Sequence, residues 1–180
     1  MGKIIKKVIL ATYFLLMVFI VISYNAVEPV GEKNIKSFLT ELYQVENTDE
    51  YQKLIEKAEE ELKDNDSHQE KIRTLDIAEL FKPFCLKYEN YCSEALLQDL
   101  IQNRHITRYD QQAWEEKCQF YVKKIELKQD EKKTHYYYTI QIEKRLNDGT
   151  TQLKVGKGIV RLNEEGLVDR FKITTELKDS

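Results

Sequence analysis

The chain has 180 residues, with 28 basic and 31 acidic side chains and a formal net charge of −3. Three of the basic residues, Lys3, Lys6 and Lys7, precede an uncharged run, so the remainder carries 25 basic against 31 acidic residues. Such a balance excludes the general pull toward nucleic acid that a basic domain would have, and about 155 residues beyond the run are enough for one domain with a single sizeable core.

The run itself, Val8 to Ile22 (VILATYFLLMVFIVI), has no charge, Pro or Gly. Extended to Tyr24, and back to Ile4 and Ile5 with Lys6 and Lys7 snorkelling, it reaches the roughly 17–25 residues of a spanning helix. The lysines suit the cytoplasmic interface and Tyr24 the outer one. The reading is therefore a cytoplasmic N-terminus at 1–7, a transmembrane anchor at 8–24, a stalk at 25–32 around Pro29 and Gly31, and an extracytoplasmic domain at 33–180. A cleaved signal peptide ending near Ser23 is the competing reading. The run is long for a signal peptide, and no small-x-small site or lipid-accepting Cys follows it. Either way the domain is exported. The abundance of Lys and Tyr fits an AT-rich bacterial genome.

In chain order, Ile35, Phe38, Leu39, Leu42 and Tyr43 recur at helical spacing, with Asn34 as a candidate cap. From Asp49, a second helix places Tyr51, Leu54, Ile55, Ala58 and Leu62 on one stripe and a charge run on the other, ending at Asn65-Asp66-Ser67. Ser67 and Glu70 have capping-box spacing. Ile72, Leu75, Leu80 and Phe81 then predict a third helical piece that stops near Pro83. Ser93 is placed to cap a fourth, with Leu96, Leu97, Leu100 and Ile101 inward, fraying at Asn103-Arg104.

From Cys118 the period becomes two. In 117–128 the apolar parity switches between Val122 and Ile125, which predicts a β-bulge. In 134–146, Tyr136, Tyr138, Ile140 and Ile142 share one face, while His135, Tyr137, Thr139 and Gln141 share the other. Asn147-Asp148-Gly149 predicts a hairpin turn. A strand from Thr151 to Leu162 follows, with Gly156 and Gly158 on one side. Asn163 to Gly166 turns again, and Leu167 to Leu177 forms the last strand. Helices first and a meander last predict an α+β fold, with helices covering one face of an antiparallel sheet.

The order of two helices, a Leu80-Phe81-Lys82-Pro83-Phe84 connection, a Ser93-Glu94-Ala95-Leu96-Leu97 helix ending in Asn103-Arg104, and a long meander resembles the nuclear transport factor 2-like (cystatin-like cone) superfamily. It is similar in layout to membrane-anchored bacterial members. The resemblance implies a sheet curved around a helix, with a conical pocket that serves either small ligands and enzymes or assembly. The single-span members include an inner-membrane component of conjugation and type IV secretion machines.

No catalytic motif is recognisable. Asp76 and Glu79 fall three apart and read as a solvated helix edge. His105 and His135 are candidate general bases by residue type, but neither has a partner at diagnostic spacing. Cys85, Cys92 and Cys118 match no zinc pattern. Cys85 and Cys92 form a candidate disulfide if a loop joins them; one continuous helix would hold them about 10.5 Å apart. The competing reading is three buried thiols. Phe120, Tyr136 and Tyr138 are candidate pocket lining, although an inward pair of tyrosines is more often core. Tyr137 is a candidate interface residue.

The expected function is a membrane-anchored interaction or assembly module, such as a subunit of a conjugation or secretion apparatus. Its partners would be the membrane, and other envelope proteins or a second copy. No nucleic acid, cofactor or metal is expected. The alternative is an exported domain that binds a small ligand in the cone, with a pocket enzyme ranked below both.

Overall fold

Helix α1, Val30–Tyr43, organises the structure because its whole apolar stripe is buried. Ile35, Phe38, Leu39 and Tyr43 are fully buried and Leu42 nearly so. Each contributes roughly 1.5–3 kcal/mol of apolar burial. The computed structural model describes residues 29–63, 77–131 and 135–179. Residues 8–24 and the first half of the stretch read as stalk, 25–28, lie outside the described residues, as do Ser67, Glu70, Ile72, Leu75 and Asp76. Among the described residues, no helix is long and apolar enough to cross a membrane.

The first helix corrects two expectations. It begins at Val30, so residues 30–32, read as the end of the stalk, are helical. Asn34 does not cap it; the Asn34 amide lies inside the helix and donates to the Gly166 carbonyl at 2.9 Å. A side chain at position 31 would meet the Cδ1 methyl of Leu162, which would have to shift to admit it.

Helices α2 (Asp49–Lys63), α3 (Ile77–Tyr88), α4 (Glu94–Gln102) and α5 (Arg108–Glu116) complete the helical layer. Ser93 caps α4, its Oγ accepting from the Leu96 N–H at 3.2 Å, as its position predicts. The third helix does not stop near Pro83 but runs through it to Tyr88. Leu80, Phe84 and Tyr88 are buried on one stripe while Pro83 is exposed. The backbone interruption therefore faces water, and packing on the other side carries the helix past it. Helix α5 is absent from the sequence reading. Only Tyr109 and Ala113 of its nine residues are buried, too few to show a helical period.

The meander forms as expected. Strands β1 (Cys118–Gln129), β2 (His135–Leu146), β3 (Thr151–Leu162) and β4 (Val168–Asp179) pair antiparallel in the order β1-β2-β3-β4. The predicted bulge lies between Val122 and Lys124. Gly149, at φ 86°, closes the predicted hairpin. Further register shifts fall between Val155 and Gly158. The α+β class is thus observed, with five helices among the described residues packed on a four-stranded sheet. Edge strand β1 begins against Val45, whose N–H donates to the Phe120 carbonyl at 2.9 Å. The opposite edge begins against the α3–α4 connection, where the Ser93 N–H donates to the Val168 carbonyl at 2.8 Å.

Candidate functional site

Pleating places Tyr136 and Tyr138 on the concave side of the sheet, both buried, and turns Tyr137 outward, 51% exposed. Phe120 is buried beside them. The concave side is filled with aromatic rings. The hydroxyls of Tyr138 and Tyr43 are 2.9 Å apart. Tyr138 stacks on Phe171 with ring centroids 6.1 Å apart and planes 14° from parallel. The Tyr109 ring lies 4.5 Å from that of Tyr43 and meets Phe120 edge-on at 6.2 Å. Tyr136 is tied at the sheet end, its hydroxyl accepting from Gln129 Nε2 at 2.9 Å. Gly158 makes room for this arrangement, because a Cβ there would overlap both the Tyr138 ring and the Lys172 carbonyl.

Burial pushes the phenols of Tyr43, Tyr109 and Tyr138 far above the ordinary value of 10.0. They stay protonated at physiological pH and offer no general base. The Tyr109 hydroxyl is buried without a hydrogen-bond partner among the described residues. At the rim, Arg108 pairs with Glu176 at 3.0 Å. Thus Phe120, Tyr136 and Tyr138 face inward together, but into packed core.

The other sequence candidates stay dispersed. Glu79 is exposed and pairs with Lys82 at 3.4 Å. His105 packs edge-on against Phe171, centroids 6.4 Å apart. His135 opens β2, its Nδ1 3.7 Å from Asp130. Cys85 is half-buried, Cys92 and Cys118 are buried, and all three are free thiols. Burial, with Cys85 beside it, pushes the Cys92 thiol up to about 11. Among the described residues no group of His, Cys, Asp and Glu is arranged to hold a metal.

No protein-family model matches the chain, and no curated protein matches it. Among solved structures, the chain is similar to a solution NMR structure of a de novo β-sheet design protein, at 15% identity and a TM-score of 0.37. That likeness covers 71% of this chain and 92% of the design.

Openings among the described residues lie away from this packed core. An apolar groove of about 550 Å³ runs between the helices, lined by Tyr51, Leu54, Ile55, Leu80, Phe81 and Ile101, with Arg104 and Thr107 at its polar side. Arg104 adopts a left-handed conformation, φ 56°, just past the end of α4. A polar hollow of about 330 Å³ between α1 and α5 includes Glu41, Glu46, Glu50, Lys87 and Asp110. Burial raises the Asp110 carboxyl above its ordinary 3.8, partly offset by Lys87, whose Nζ is 3.9 Å away. A third opening, about 350 Å³, lies by the sheet and includes His135, Ile159, Arg161, Arg170 and Lys172. Sequence reasoning missed Asp110 with the rest of α5. It also missed the grouping by the sheet, because strand register creates that grouping. The described geometry offers surfaces for binding and no assembled acid–base or nucleophilic set.

Proposed function

We propose that the chain is a membrane-anchored, extracytoplasmic interaction or assembly module, built on a cone of the nuclear transport factor 2-like kind. The observation that carries this reading is the closed Tyr43–Tyr138 contact at 2.9 Å, with Tyr109, Phe120 and Phe171 packed around it. A cone that binds a small molecule needs an open interior with a few polar groups directed into it. Here the inward polar groups are phenols spent on one another or sealed in the core. What is left to act is the outside: the helical groove, the exposed ring of Tyr137 and the outer sheet face. Sites of that kind serve macromolecular contacts.

The reading includes a single span at residues 8–24 with the N-terminus in the cytoplasm and residues 25–180 outside. Its partners are other envelope proteins or further copies of the chain, as in a conjugation or secretion apparatus. The test is in-membrane crosslinking of the full-length chain in its native cell, with products identified by mass spectrometry. Discrete products containing envelope proteins, or dimers, are expected. A lone monomer at native expression overturns the assembly reading. Extraction of the protein by alkaline carbonate overturns the anchor.

A small-ligand role keeps one specific observation in its favour. The 550 Å³ apolar groove with Arg104 at its side has the size and chemistry for an amphipathic carboxylate. Saturable binding of a fatty acid, lost in Arg104→Ala, would favour that second reading.

A further inference from the structure

The exported part is acidic overall, yet its charge is not evenly spread over the sheet. On the outer face, strand register aligns Lys128, Tyr137, Ile159 and Lys172 in one row. The neighbouring row is His135, Arg161 and Arg170. Lys157 lies in the row beyond, opposite Thr139. Lys128, Tyr137, Lys157, Arg170 and Lys172 are all exposed.

Pairing with carboxylates is polarised along the strands. Toward the Asn147–Gly149 turn most cations are answered, Lys123 and Arg145 by Glu143, Lys144 by Glu116, and Lys154 by Asp179, with Lys178, opposite Val155, the exception. Further along, Lys124 is answered by Glu126. Toward the other end Arg161 is held by Asp169, its Nε 3.0 Å from the carboxylate, and His135 sits near Asp130. Lys128, Lys157, Arg170 and Lys172 have no carboxylate partner among the described residues. Glu164 and Glu165 are exposed in the turn past the end of β3, outside the paired rows.

This unanswered end is also where the chain arrives from its apolar run. Val30, 70% exposed, starts α1. Gly31 packs on Leu162, the last residue of β3, and Asn34 holds the Gly166 carbonyl in the turn that follows. Residues 23–29 separate the run from the helix, and even fully extended they reach only about 25 Å. Arg161 and Arg170 flank that turn.

We propose that the outer face of β2, β3 and β4 rests on an anionic lipid surface. Lys128, Lys157, Arg170 and Lys172 would meet the headgroup charge, and Tyr137 with Ile159 would sit at the boundary with the acyl region, where an amphipathic ring is favoured. The proposal rests on the reading of residues 8–24 as an anchor, which holds the face at the membrane; the cationic rows supply its orientation.

The test uses the full-length chain reconstituted in vesicles of phosphatidylcholine alone or mixed with anionic phosphatidylglycerol, with brominated acyl chains as quenchers. Trp114 is the only tryptophan; in a Trp114→Phe background, Tyr137→Trp places an indole on the face and Phe19→Trp places one in the run. The expected result is quenching at position 137 in anionic vesicles only. It should be lost in about 1 M salt, where the screening length falls to roughly 3 Å, and lost in Arg170→Glu/Lys172→Glu. The unsubstituted protein gives a second readout: acylation of Lys128, Lys157 and Lys172 should drop in anionic vesicles while that of Lys53 and Lys82 does not. Quenching at position 19 without quenching or protection at the face overturns this proposal and leaves the anchor standing. Absence of quenching at position 19 overturns the anchor itself. Equal quenching in neutral vesicles overturns the charge argument. Salt-sensitive capture by a DNA oligonucleotide in detergent, with no quenching at the face, assigns the surface to nucleic acid and overturns the lipid assignment.

Discussion

The hydroxyl oxygens of Tyr43 and Tyr138 lie 2.9 Å apart in the core, joining the end of α1 to the first third of β2. Each group solves the other's desolvation, so removing one strands its partner. Tyr138→Phe should destabilise the full chain by about 1–3 kcal/mol, read by urea denaturation in mild detergent. The double variant Tyr43→Phe/Tyr138→Phe should cost less than the sum of the two single ones. Strict additivity would show that the hydroxyls do not interact.

Tyr109→Phe should behave oppositely. Its hydroxyl is buried with no well-formed hydrogen bond among the described residues and only the Tyr43 hydroxyl beside it, so the substitution removes a desolvated polar group and loses at most a weak contact. Stability should stay level or rise. A loss as large as that of Tyr138→Phe would mean that the hydroxyl is satisfied.

Gly158→Ala should be severe. The new methyl would overlap the Tyr138 ring and the Lys172 carbonyl, and overpacking of this kind typically costs about 1–3 kcal/mol. Gly156→Ala meets the ends of the Leu177 and Ile140 side chains at 3.0 and 3.3 Å, which can yield, so it should cost less. The order of the two melting temperatures checks the packing.

Pro83→Ala should stabilise α3. Pro83 is exposed inside the helix, and alanine restores the N–H that can donate to the Glu79 carbonyl one turn back. Against the unfolded-chain entropy that proline removes, the net gain should be about 1–2 kcal/mol. A loss would mean that Pro83 itself is needed to seat Phe84 and Tyr88.

Asp110 gives a pH test. Its carboxyl is raised above 3.8 by burial. Stability from such a group is complete below 3.8 and is lost as pH rises through the raised value. The ionised carboxylate therefore weighs against the fold at neutral pH. Asp110→Asn should raise the urea midpoint at pH 7, with the difference closing as pH falls toward 3.8. A difference that grows on acidification would reverse the assignment.

The sheet was legible because one strong signal, alternation of apolar side chains, survives in every strand. The parity change at Val122 and Ile125 even located the bulge. The concave placing of Phe120, Tyr136 and Tyr138 was legible for the same reason. Whether that concavity is open was not, because the rings that close it, Tyr43, Tyr109 and Phe171, come from three distant elements. Helix α5 escaped because nine mostly polar residues with two inward side chains give no period. Proline was overweighted at position 83, since local sequence does not reveal which side of the helix faces water. The cationic rows were hidden by net charge: Lys128, Lys157, Arg170 and Lys172 become neighbours only through strand pairing.

The seating of Gly31 on Leu162 and of the Asn34 amide on the Gly166 carbonyl has a mechanical consequence. Tension applied at Val30 would load the first turn of α1 and pass through these two contacts into the β3–β4 hairpin, so shearing them would be the first step of yielding.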